Sequence, residues 1–233
     1  MAPWAKTERE LLSPVVETIL ADLEPLVGKQ ILVLCSASGE VAFRIADRVG
    51  AGEVLGLQLS EELLRAARSA KTEGIPVRFD KALPDRIPSP DATFDGVVSE
   101  FIVYPTSEVT DIGQSEMARV LRPSGVMTLT DVIAPEDPPA DVRTAFTDAG
   151  LNYLCVATPD DFAGWMKEVG MVDVEVRELT DLVRPVWERR LATGPAAAAL
   201  LLGSGPWSLG RGIRYIRVRG MKPTCLNSDG RQT

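Results

Sequence analysis

The 233-residue chain predicts an α/β fold: a doubly wound, mostly parallel seven-stranded sheet with an antiparallel C-terminal hairpin. Three observations predict it. Short apolar runs alternate with amphipathic helical stretches from Ile31 to Val132, the rhythm of a parallel sheet built from βα units. The first run, Ile31–Cys35, enters a turn of small residues and then a helix opening at Gly39-Glu40-Val41. Late in the chain, Val172–Leu179 and Ile213–Arg219 both alternate apolar with polar residues, as neighbouring antiparallel strands do.

The elements follow in order. Leu11, Leu12, Val15, Val16, Ile19, Leu20 and Leu23 fall at helical spacing, so residues 8–26 form an amphipathic helix ending near Gly28. Ile31–Cys35 is a buried strand, and Glu40–Val49 a helix closed by Gly50. Glu53–Gln58 is the second strand. Ser60 caps the next helix, with Glu61 and Glu62 at its positive end. Pro76–Phe79, Phe94–Phe101 and Val126–Val132 are the third, fourth and fifth strands, with a helix over Ile112–Leu121 between the last two. A loop bearing Pro135, Pro138 and Pro139 follows. Thr158-Pro159-Asp160-Asp161 starts a helix that stops at Gly170. Leu182–Leu202 is helical but broken at Gly194 and Pro195. With no repeat and no linker, one domain spans 1–220. Its N-terminal helix lies within 1–28, lid or insert helices within 135–165 and 181–210, and a flexible tail over 221–233.

Composition removes whole classes of function. A net charge of −8 leaves no basic surplus for nucleic acid. Three widely spaced cysteines fit a reducing cytoplasm and have no metal-type spacing. No apolar run approaches the roughly 20 residues of a membrane span, and the amphipathic, acidic N-terminus is not a signal peptide. The expectation is a cytoplasmic protein, monomer or homodimer, with a small-molecule partner and neither a nucleic-acid nor a membrane partner. The chain has no histidine, which excludes Ser-His-Asp, Cys-His and His-based zinc chemistry.

Doubly wound sheets bind ligands beyond the carboxyl ends of their strands, near the point where strand order reverses. That places Cys35, Ser36, Ala37 and Gly39 of the first turn, Gln58 and Leu59 after the second strand, and Ser99 and Glu100 of the fourth strand at one candidate site.

Three segments carry a family resemblance: ILVLCSASGE from Ile31, IPSPDATFDGVVS over Ile87–Ser99, and EMARVLRPSGVMTLTDV over Glu116–Val132. Together they resemble class I S-adenosylmethionine (SAM) dependent methyltransferases of the quinone-biosynthesis and arsenite-methyltransferase type, across roughly residues 28–180. The resemblance implies SAM as cofactor, a small-molecule acceptor and no metal. The departures fall on the cofactor. The family's first-strand acid is Val33, its first two glycines are Cys35 and Ala37, and its ribose-binding acid is Gln58. The acid that meets the adenine amine aligns with Leu83, or, after a short shift, with Asp85. Gln58 forfeits a charge-assisted contribution on the order of 1–2 kcal/mol, and Leu83 about 1 kcal/mol more. The sum weakens SAM binding roughly 30- to 150-fold, at about 1.4 kcal/mol per decade.

Methyl transfer is an in-line displacement in which the protein chiefly aligns its reactants. Glu100 is the candidate base, with a solvated or capping acid as its plain reading. Tyr104 is a candidate pocket wall or hydroxyl partner, set against ordinary packing. Cys155 stands near the position where the arsenite enzymes carry a metalloid-binding cysteine, set against a buried structural thiol. Arg217 and Arg219 share a strand face that either meets an anionic substrate or pairs with acids such as Glu175. A methyltransferase fold that has lost transfer, and acts as a cyclase, isomerase or non-catalytic binding protein, is the second reading. A nicotinamide enzyme is disfavoured by the missing G-x-G-x-x-G and the missing acid at position 58.

Overall fold

A computed structural model describes residues 6–34, 39–71, 74–100, 110–148 and 154–224. In chain order the elements are α1 (Lys6–Leu23), β1 (Gln30–Leu34), α2 (Glu40–Val49), β2 (Glu53–Gln58), α3 (Glu61–Ala70), β3 (Val77–Lys81), β4 (Phe94–Glu100) and α4 (Thr110–Val120). They continue as β5 (Leu121–Ala134), α5 (Ala140–Asp148), β6 (Cys155–Val156), α6 (Pro159–Glu168), β7 (Val172–Glu178), α7 (Thr180–Leu191), α8 (Pro195–Leu201) and β8 (Arg214–Met221).

The sheet runs β3-β2-β1-β4-β5-β8-β7, with β6 beside β5. All pairings are parallel except those of β8, which lies antiparallel between β5 and β7. The strand order reverses between β1 and β4. Ile31, Leu32, Val33 and Leu34 are all buried, because helices cover both faces of a parallel sheet and leave no polar side. One face packs against α1, α2, α3, α5, α7 and α8. The other packs against α4 and α6.

Local chemistry sets the helix ends. The Ser60 hydroxyl accepts from the Leu63 N–H at 3.2 Å. At α6 the Thr158 hydroxyl accepts from the Asp161 N–H, and the Asp161 carboxylate accepts from the Thr158 N–H at 2.7 Å, a closed capping box. The predicted break at Gly194-Pro195 separates α7 from α8.

The sheet has eight strands rather than the seven expected. The extra strand, β6, is two residues long, pairs Cys155 with Ile133, and is too short to carry any periodicity. The last strand also runs further than expected. Met221 closes β8, and the Lys222 ammonium donates to the carbonyls of Ala118 and Leu121 at 2.7 Å each. Residues 221–224 are therefore tied to α4, and the rest of the expected tail lies outside the described residues.

Two side-chain clamps hold the centre. Arg119 donates to Glu116 at 2.6 and 2.9 Å, to Asp91 at 2.7 Å, and to the carbonyls of Ser89 and Ile87 at 2.9 and 3.0 Å. Glu116 also accepts from the Ile87 N–H at 2.9 Å. Asp95 accepts from the Gln30 N–H at 2.8 Å and from Arg122 at 2.9 Å, tying β4 to the start of β1.

Arg119→Ala is expected to cost about 2–3 kcal/mol in urea unfolding, because two loop carbonyls and two carboxylates lose charge-assisted partners together. Arg119→Lys should recover little, since an ammonium cannot reproduce the fork. The Arg119 hydrogen bond holds the Glu116 carboxyl below its usual 4.5, against an opposing push from burial. A lowered carboxylate adds stability that is fully present above the unfolded value and is lost as pH falls through the folded one. The stability gap between wild type and Glu116→Gln should therefore close on acidification below about 4.5, and a gap independent of pH would contradict the clamp.

Candidate active site

The candidate site is the carboxyl edge of β1, β2 and β4. Leu34 pairs with Leu57 on one side and Ser99 on the other, which sets Gln58 one residue further out on β2. The chain therefore brings Gly39, Gln58, Leu59 and Ser99 to one edge, as the strand order requires.

Gly39 opens α2 in the left-handed region, with φ +80°. A Cβ there would sit 2.9 Å from the Phe79 ring and 3.0 Å from Phe43, rings that meet edge-on at 5.3 Å. The glycine is thus required twice, by its dihedral and by the aromatic plug beneath it. The backbone turns into α2 with no side-chain cap from Gly39.

Gln58 is fully buried, and its backbone carbonyl accepts from the Ala82 N–H at 3.2 Å. Leu59 is half-buried. The Ser99 hydroxyl is buried with no hydrogen-bond partner among the described residues. Leu83 is 53% exposed and Asp85 is exposed, both on the loop after β3. Glu100 ends β4 in register with Thr130 of β5; its side chain lies outside the described residues, as do Cys35, Ser36, Ala37 and Tyr104.

These features fit a nucleoside-bearing cofactor in part. The Gln58 amide can bond ribose hydroxyls without charge, and the Ser99 hydroxyl lacks a partner among the described residues. An exposed Leu83 contributes no polar group to the base.

Cys155 sits on β6 at 3% exposure. Burial first, then the nearby Asp131 and Asp161 carboxylates, push its thiol up to about 12. A thiol held there stays protonated at neutral pH and packs as a small apolar group.

The arginine face of β8 is paired with acids. The Arg217 guanidinium meets Asp22 of α1 at 3.1 Å and Glu175 of β7 at 3.4 Å, and the Thr128 hydroxyl donates to Asp22 at 2.8 Å. Arg217 and Asp22 are both over nine-tenths buried. Burial raises the Asp22 carboxyl above its usual range, opposed by Thr128 and the two arginines.

One residue escaped the sequence reading. Gln114 of α4 is 2% exposed, and neither end of its amide has a hydrogen-bond partner among the described residues. The available signal was a polar residue three and four positions before Met117 and Ala118, on the core face of a helix. Among the described residues no group of three or more metal-ligating side chains gathers, and no helix is long and apolar enough to cross a membrane.

Residues 31–125 match the family model described as a methyltransferase domain. The chain is 30% identical over 155 residues to the arsenite methyltransferase of Halobacterium salinarum, covering 64% of this chain and 39% of that protein. It is 30% identical over 108 residues to the demethylmenaquinone methyltransferase of Deinococcus radiodurans, covering 46% of this chain and 44% of that protein. It thus spans less than half the length of either relative. The structure of the (4+2)-cyclase SpnF superposes with a TM-score of 0.66 at 22% identity, over 90% of this chain and 81% of that one, a likeness of fold. Over residues 31–125 the chain is thus similar to methyltransferase domains.

Two outcomes check the site's construction. Gly39→Ala should lower stability by roughly 1–3 kcal/mol in chemical denaturation, from the left-handed dihedral and overpacking against Phe79. Peptide mapping after iodoacetamide treatment at neutral pH should find Cys155 unlabelled in the native protein and labelled once unfolded. Rapid native labelling would refute its burial.

Proposed function

We propose that this domain transfers a methyl group from SAM to a small molecule. The observation that supports this reading best is the edge formed by Leu34, Gln58 and Ser99 beside the left-handed Gly39 turn, within a methyltransferase domain. SAM supplies an electrophilic methyl on a sulfonium, and transfer leaves a neutral thioether and a methylated acceptor that has shed a proton.

The chain's own groups divide the work. Cys35, Ser36 and Ala37 hold the polar end of the cofactor, with the left-handed Gly39 turning the chain into α2. Gln58 bonds the ribose hydroxyls through a buried, uncharged amide. Ser99 offers its hydroxyl between β1 and β4. Glu100, at the end of β4, is the proposed proton acceptor, and Tyr104 a proposed wall of the acceptor pocket. Cys155, with its thiol held protonated, is assigned to packing rather than to metalloid binding. The two relatives are named for arsenite and demethylmenaquinone as acceptors, and a small-molecule acceptor is proposed here.

The second reading is supported by the missing acids at Val33, Gln58 and Leu83, and by the fold shared with a cyclase. Here the pocket would shape a bound molecule without methyl transfer. Calorimetric titration separates the two. Binding of SAM and S-adenosylhomocysteine is expected, and an absence of both heat and thermal shift at millimolar ligand would sink the methyltransferase reading. Gln58→Glu keeps the side-chain length and adds a charge-assisted bond, so SAM should bind about tenfold more tightly. Unchanged or weaker binding would mean that the ribose does not lie at β2.

A further inference from the structure

A primary amide buried with neither end hydrogen-bonded is costly, and native proteins rarely leave one so. Gln114 is such a group. We propose that Gln114 recognises the adenine of the bound cofactor, replacing the acid that Leu83 does not provide; the assignment rests on the methyltransferase reading above.

Position is the first argument. β4 and β5 are parallel, so α4 returns from the carboxyl edge of β4 to the amino end of β5. Gln114, in the first half of α4, therefore lies nearer the ligand-binding edge than Met117 and Ala118. Those two residues, on the same helix face, pack with Leu34, Leu57 and Val97. The adjacent Gly113 abuts the loop after β3: a Cβ built on it would lie 3.5 Å from the Pro84 Cβ. Leu83 precedes Pro84 and turns outward at 53% exposure. The turn of α4 that carries Gln114 thus meets the loop on which Leu83 stands where the resemblance expects an acid. Ser99, whose free hydroxyl sits on a β4 position of the same parity as Val97, adds a second unpartnered group on that side of the sheet.

Chemistry is the second. An amide presents a carbonyl acceptor and an N–H donor side by side. The adenine edge presents the complementary pair, its 6-amino donor next to a ring-nitrogen acceptor, and glutamine meets that pair with two hydrogen bonds. A carboxylate only accepts, and so would read the amine alone. Gln114 therefore selects a 6-aminopurine without adding negative charge.

The test is calorimetry of S-adenosylhomocysteine and its 6-deamino purine analogue against wild type, Gln114→Leu and Gln114→Met. Wild type should prefer S-adenosylhomocysteine about tenfold, the size of one neutral hydrogen bond lost from a buried pair. Both variants should bind S-adenosylhomocysteine about tenfold more weakly and lose most of that preference. Their ligand-free melting temperatures should equal or exceed wild type, because an apolar side chain replaces an unpaired amide. Variants that bind as tightly as wild type, or that keep the preference, overturn the assignment while leaving methyl transfer standing. A wild type that binds no S-adenosylhomocysteine overturns the functional reading and this one with it.

Discussion

The guanidinium of Arg119 is the joint on which the central fold depends. The segment entering β4 is irregular, and its carbonyls at Ile87 and Ser89 have no sheet to satisfy them. Arg119 takes both, while Glu116 and Asp91 hold the guanidinium in place. A planar fork suits this task because several acceptors approach it in one plane. The same contacts fix α4 against the segment that enters β4. Lys222 fastens the far end of α4 through the Ala118 and Leu121 carbonyls, a cation at a helix C-terminus. With its second half pinned from two sides, α4 can carry a polar group such as Gln114 in its first half without sliding to bury it elsewhere.

The opposite face of the sheet is held by different physics. There the Asp22–Arg217–Glu175 set brings α1, β8 and β7 together, with Thr128 of β5 as a neutral partner. Desolvation works against ionised Asp22, as the raised carboxyl shows, so such a set adds little net stability when intact. Its consequence is positional. An α1 shifted along the sheet would strand a buried charge, whereas apolar contacts alone would tolerate several registers. The C-terminal end of α1 is thereby fixed over β5 and β8.

These contacts explain what the sequence disclosed and what it withheld. Periodicity and caps located the long elements because those signals are local: the apolar run of β1, the Ser60 cap and the Thr158 capping box need only their own neighbours. β6 escaped because two residues have no period, and its pairing with Ile133 is set by the chain before it. The extension of β8 to Met221 depends on Lys222 finding carbonyls about 100 residues away. At the site, Gly39 and Gln58 were legible from the strand–turn–helix order. Gln114 was not, since polarity on a helix signals a ligand only once that face is known to be buried and unpaired. The pairing of Arg217 was half legible: alternation put it on one face with Glu175 within reach, but nothing local pointed to Asp22.

The distribution of familiar and unfamiliar residues has a structural logic. Glu116, Arg119 and Asp95 belong to the segments that carry the family resemblance, and every hydrogen bond of theirs described above goes to the protein itself. They report on how the sheet is assembled. The departures at Val33, Gln58 and Leu83 stand on the first strand, at the ligand edge and on the loop beside it. Each puts an uncharged group where the resemblance expects a carboxylate, and of the three only Gln58 keeps a side chain that can hydrogen-bond. Neutral donors and acceptors discriminate by shape and pairing rather than by field, and they also spare the site the desolvation of a carboxylate when no ligand is bound. On the proposed reading, a buried Gln58, a Ser99 hydroxyl without a partner among the described residues and the amide of Gln114 make up one edge of that kind.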